Sequence, residues 1–165
     1  NYLDMTVPKE VRPLSELAPE AVLMNASKML DGVTGGRGES GVRLIKAWAD
    51  DLPSWKDVHD WKWCARFGYQ VIKKRGVGGA GFRWIYRDFL REAETLSPLL
   101  SGLGLSGKMD RIGERWSEAA DLLKDISERG KPEKSLLKKA SQMAAGIYGM
   151  ETEYYSYVLE KLGGK

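Results

Sequence analysis

Residues 106–129 read SGKMDRIGERWSEAADLLKDISER, and this stretch decides the fold class. Met109, Ile112, Trp116, Ala119, Leu123 and Ile126 recur three and four residues apart, as on a helix with one buried stripe. The positions between them are charged or small, and Gly130-Lys131-Pro132 breaks the pattern. A single apolar stripe on a helix this long needs neighbours to cover it, so the rest of the chain is read for helices.

Helical spacing recurs in both directions. From Ser15 to Asp31 the candidate stripe is Leu17, Ala21, Leu23, Met24, Ser27 and Leu30, with Gly32 as the stop. Ser40 is a plausible cap for a short helix carrying Val42, Ile45, Trp48, Ala49 and Leu52, which Pro53 ends. The spacing predicts further helices over 57–75 (Val58, Trp61, Ala65, Gly68, Ile72) and over 82–96 (Phe82, Ile85, Tyr86, Phe89, Leu90, Ala93). A last helix begins near Glu133 and carries Leu136, Leu137, Ala140, Met143, Ile147, Tyr154, Val158 and Leu162. No alternating run reaches strand length. The expected fold is an all-α antiparallel bundle of five to six helices, with residues 1–14 as a linker and 15–165 as one domain.

Composition limits the chemistry. The chain has 165 residues, 42% of them hydrophobic and 30% charged, with 26 Lys and Arg against 23 Asp and Glu. The resulting +3 is too small to name a partner. The longest apolar run, Met143–Met150, falls far short of the roughly 20 residues of a membrane span. One cysteine excludes an internal disulfide and a multi-cysteine metal site, and one histidine excludes the common His-rich sites. His59 and Cys64 lie five apart on one helix, about 140° around it, and so do not face a common point. No catalytic residue, metal ligand or cofactor is expected in this segment, and its expected compartment is the cytoplasm. The start at Asn1, with no basic-then-apolar leader, reads as a cut from a longer protein.

Three constellations remain. Gly76-Val77-Gly78-Gly79-Ala80-Gly81 has the letters of a dinucleotide fingerprint, but a helix precedes it where the fingerprint needs a strand. What survives is a candidate anion site at Gly78, Gly79, Gly81, Phe82 and Arg83, with Lys74 nearby, set against a plain tight connection that needs positive φ. Residues 62–91 hold eight bases and one acid, interleaved with seven aromatics. Nucleic acid is disfavoured there, because Phe82, Tyr86 and Phe89 belong to the apolar stripe and are expected in the core. Glu151 stands on the apolar stripe of the last helix. A carboxylate there needs a partner, either as a buried ion pair orienting the last helix or as a ligand-binding group, and Arg83 is the expected base, with Arg87 the other candidate.

The run Gly76–Glu92, GVGGAGFRWIYRDFLRE, resembles the helical C-terminal domain of butirosin biosynthesis protein H-like proteins, where a glycine-rich turn leads into F-R-x-x-Y-x-x-F-L. Phe82, Arg83, Tyr86, Phe89 and Leu90 supply that pattern, and Gly41-Val42, Leu44-Ile45 and Leu52-Pro53-Ser54-Trp55 are similar to its upstream segment. The resemblance implies a helical bundle lying behind a papain-like cysteine acyltransferase or amidohydrolase domain of the same chain. It leaves this segment a substrate-binding, lid or assembly role, with a small molecule or a carrier protein as the substrate of the whole. The alternatives are a free-standing interaction module and, third, a nucleic-acid-binding helical domain.

Overall fold

The computed structural model describes residues 11–32, 40–76 and 78–164. They form an all-α antiparallel bundle: α1 (Leu14–Asp31), α2 (Arg43–Asp51), α3 (Trp61–Lys73), α4 (Arg83–Leu96), α5 (Leu105–Glu128) and α6 (Lys134–Leu162). A 3₁₀ turn, Leu52–Asp57, follows α2 directly. The α-helix ends at Asp51, just before Pro53 as the sequence predicts, and the chain continues in tighter winding, where Trp55 Nε1 donates to Asp51 Oδ2 at 2.7 Å. The expected helix over 57–75 therefore starts four residues late, at Trp61, and Val58 is exposed outside it. Ser40 does not cap α2 either, since Val42 occupies that position and donates its N–H to Met29 O at 2.8 Å.

α5 is the central element, packing against α3, α4 and α6, while α6 also covers α1, α2 and the 3₁₀ turn. All six residues of its stripe, Met109 to Ile126, are buried. From α6 come Leu137, Ala140, Ala144, Ile147, Tyr154 and Val158. Trp84 of α4 lies against α5 at Gly113, where an added Cβ would stand 2.4 Å from the indole nitrogen. Only a glycine admits that ring.

Two stripes are turned from their expected positions. On α1 the buried residues are Ala18, Pro19, Val22 and Ala26, and Met24 is exposed. Small side chains let α1 sit close to α6, and this close packing rather than side-chain size selects the buried face. On α4 the buried residues are Leu90 and Ala93, whereas Phe82, Ile85 and Phe89 are exposed. The expectation that Phe82 and Phe89 are core residues is corrected: Arg83 and Trp84 take the inward face at the start of the helix. The linker reading for 1–14 falls largely outside the described residues, although Leu14 already opens α1. No helix among the described residues is long and apolar enough to cross a membrane.

Candidate functional site

Arg83 is the first residue of α4 and Glu151 lies midway along α6, where every neighbour on its stripe is apolar. The structure brings them together in a two-pronged ion pair. Arg83 Nε donates to Glu151 Oε1 at 2.8 Å and Arg83 Nη2 to Oε2 at 3.0 Å. Trp116 of α5 completes the carboxylate's shell, its Nε1 donating to Oε1 at 2.6 Å. The Glu151 side chain is 0% exposed and that of Arg83 21%. Arg83 spends its remaining prong on Gly81 O at 2.7 Å. Burial works against the guanidinium's charge, but Glu151's charge and hydrogen bonds outweigh it and hold Arg83 above its ordinary pKa.

Above this pair the rings form layers. The guanidinium carbon lies 4.7 Å from the centre of the Trp116 ring, and Trp48 of α2 stacks on Trp116 at 5.8 Å and 9°. Three helices thus meet at one carboxylate, and α2 joins them through Trp48 on the outer side of Trp116. Both of its oxygens already accept charge-assisted or indole donors, so Glu151 fastens the bundle. Trp116 is legible in the sequence only as a core residue. A tryptophan N–H on an apolar seam opposite a stray carboxylate is the signal that would have found its second role.

Buried tyrosines flank the fastening. The rings of Tyr154 and Tyr155 meet edge to face, with centres 5.0 Å apart. Burial pushes both hydroxyls far above the ordinary tyrosine range, with the Tyr86 hydroxyl adding to the effect at Tyr154 and the Glu151 charge at Tyr155. Tyr86 is raised by burial as well. Among the described residues, the hydroxyls of Tyr86 and Tyr154 and the Trp84 N–H are buried without a partner in close hydrogen-bond geometry.

The glycine turn is occupied by the chain itself. Gly78, Gly79 and Gly81 all have positive φ, as a tight connection requires. Gly81 N–H donates to Ile72 O at 2.8 Å and Arg83 N–H to Ala80 O at 3.1 Å. The backbone N–H groups of Gly81 and Arg83 are therefore bound within the protein. The Arg83 guanidinium faces Glu151, and Lys74 is exposed at the end of α3. The turn closes α3 onto α4, and the Arg83 guanidinium belongs to the ion pair with Glu151.

The basic run 62–91 is largely neutralised by facing acids. Arg66 pairs with Glu128, Lys73 with Asp121, Arg83 with Glu151, Arg87 with Asp88 and Asp110, and Arg91 with Asp88. Side-chain hydrogen bonds to Asp88 and Asp110 hold Arg87 far above the ordinary guanidinium range. His59 is fully exposed and Cys64 half-buried. No group of three His, Cys, Asp or Glu side chains that could hold a metal occurs among the described residues.

Among its charged exposed residues α4 also leaves an apolar stripe outside. Phe82 is 58% exposed, Ile85 50% and Phe89 38%. Phe82 adopts φ 69°, the left-handed conformation, which costs a non-glycine residue about 1–2 kcal/mol. Beside this face, Leu14, Leu17, Ala18 and Ala21 of α1 and Phe89, Ala93 and Leu96 of α4 line an open groove of about 260 Å³.

A family model described as a domain of unknown function (DUF4872) matches residues 1–158. No curated protein and no solved structure matches the chain.

Proposed function

The chain belongs to the DUF4872 family of domains, and on that premise we propose that it is an accessory helical domain. In this reading its exposed α4 face docks onto a papain-like cysteine acyltransferase or amidohydrolase domain of a butirosin biosynthesis protein H-like protein. The observation that carries the proposal is the position of that face. Phe82, Ile85 and Phe89 fall inside the motif Gly76–Glu92 that carries the resemblance, yet they are exposed. A contiguous apolar face left in water marks a surface that meets a partner. The strained backbone at Phe82 supports the same reading. Holding an aromatic ring outward at positive φ does nothing for the isolated bundle, since glycine would take that conformation without strain.

The fastening around Glu151 supplies the rigidity that docking needs. Arg83 anchors the first turn of α4 to α5 and α6, so the ring of Phe82, one residue before, projects from a fixed point. Catalysis is assigned to the docked domain, and this chain's part is assembly.

The test is the coding sequence upstream of Asn1, followed by co-expression of whatever it encodes with this chain. A Cys- and His-bearing domain that co-elutes with residues 1–165, and is released by the double variant Ile85→Ser/Phe89→Ser, is the expected result. If no such domain is encoded there, the reading fails. A stable complex with an unrelated protein through the same face would instead establish a free-standing interaction module.

A further inference from the structure

A second feature lies between α5 and α6, away from the α4 face. The N-terminal half of α5 and the C-terminal half of α6 enclose an open groove of about 560 Å³, within the usual range of small-ligand sites. Its α5 wall carries Lys108 and Arg111, three residues apart on one side of that helix. Its α6 wall carries Glu153, Tyr157 and Glu160, spaced four and three apart. Ile112, Met150 and Tyr154 form the floor between the walls.

The charges on the two walls do not meet. Elsewhere α5 pairs with its neighbours across helix boundaries, as Asp110 does with Arg87 and Asp121 with Lys73. In the groove, Arg111 and Glu153 have no ion-pair or hydrogen-bond partner among the described residues. Glu160 pairs only with Lys161 beside it, at 2.7 Å. Lys108 places its ammonium 4.7 Å from the centre of the Tyr157 ring and does not reach either carboxylate. Tyr157 in turn directs its hydroxyl toward Leu103 O at 3.4 Å. Two bases and two acids therefore face each other across a strip of apolar floor.

We propose that this groove binds a small zwitterion, with an acid group at Lys108 and Arg111 and an ammonium at Glu153 and Glu160. The choice follows from the pattern of charge. A simple anion drawn to the α5 wall is repelled by the two carboxylates opposite, and a simple cation meets the reverse difficulty. Only a molecule carrying both charges satisfies both walls, and a short methylene spacer then covers Ile112 and Met150. The acid group is a carboxylate or a phosphate, since Lys and Arg accommodate either. The site is separate from the docking face, and its test uses the 165-residue chain alone.

The experiment is a titration followed by amide chemical shifts. The two-ended probes are ε-aminocaproate, for a carboxylate source, and 5-aminopentylphosphonate, its analogue with the same spacer, for a phosphate source. Caproate and hexylamine are the one-ended controls. The expected result is saturable shifts confined to the first half of α5 and the second half of α6, with the one-ended probes at least about tenfold weaker. Arg111→Gln and Glu153→Gln should each weaken binding by about tenfold, whereas Arg115→Gln, whose partner is Glu118 outside the groove, should not. All three side chains are exposed, so the variants should keep the fold, and their unperturbed spectra will show it. The stronger of the two probes identifies the acid group. Absence of saturable shifts with both, one-ended probes that bind as well, or a Glu153→Gln variant that binds normally would each overturn the proposal.

Discussion

Removing the Glu151 carboxylate is the sharpest perturbation the structure offers. In Glu151→Ala the Arg83 guanidinium loses both hydrogen bonds to its charged partner and Trp116 Nε1 loses its acceptor. Breaking a buried pair from one side costs about 3–5 kcal/mol, and a buried donor left unpaired costs about 1–3. These terms overlap, and Arg83 keeps 21% exposure through which its prongs can reach water. The expected loss is therefore about 3–4 kcal/mol, near the lower end of the range for a broken buried pair. Glu151→Gln keeps the shape and one acceptor oxygen but turns an amide N–H₂ toward Arg83 donors, so about 2 kcal/mol is expected. The double variant Arg83→Met/Glu151→Met removes both charges together and should lie within about 1–2 kcal/mol of the parent protein, leaving mainly the orphaned Trp116 N–H. Urea unfolding followed by tryptophan emission measures all three, because Trp48 and Trp116 stack beside the pair. A Glu151→Ala loss under about 1 kcal/mol, or a double variant no more stable than the single one, would refute the claim that the carboxylate fastens the bundle.

Three further outcomes are expected. Gly113→Ala places a methyl 2.4 Å from the Trp84 indole nitrogen, so thermal unfolding should show a loss of about 1–3 kcal/mol, the cost of forcing extra volume into a packed contact. Phe82→Gly relieves the left-handed backbone but adds chain entropy to the unfolded state, so the isolated chain should change by less than about 1 kcal/mol while binding of the docked domain weakens; a large stability loss in the chain alone would show the ring serving the fold instead. Tyr86, Tyr154 and Tyr155 have folded pKa values raised above the ordinary 10.0, so the folded state holds protons that the unfolded state releases. Stability should be constant below that pH and fall above it, by up to about 1.4 kcal/mol per pH unit for each tyrosine, and Tyr154→Phe should flatten the decline, as read from urea midpoints across the alkaline range.

The helical class and most element boundaries were legible in the sequence, because a three-and-four repeat is a local property of a chain that must bury one side of each helix. The α5 stripe shows this: every residue picked out by spacing, from Met109 to Ile126, is buried. Glu151 was legible for the opposite reason, since a carboxylate amid an apolar stripe cannot be left without a partner. Tertiary packing alone decided which side of a mixed helix turns inward. α1 buries small residues because it lies close to α6, and α4 turns Phe82, Ile85 and Phe89 outward because Arg83 and Trp84 claim the interior positions. The role of Trp116, the use of the glycine turn's N–H groups within the chain, and the unmet charges of the α5–α6 groove share that origin. Each depends on distances between segments far apart in the chain, which spacing along a single helix does not encode.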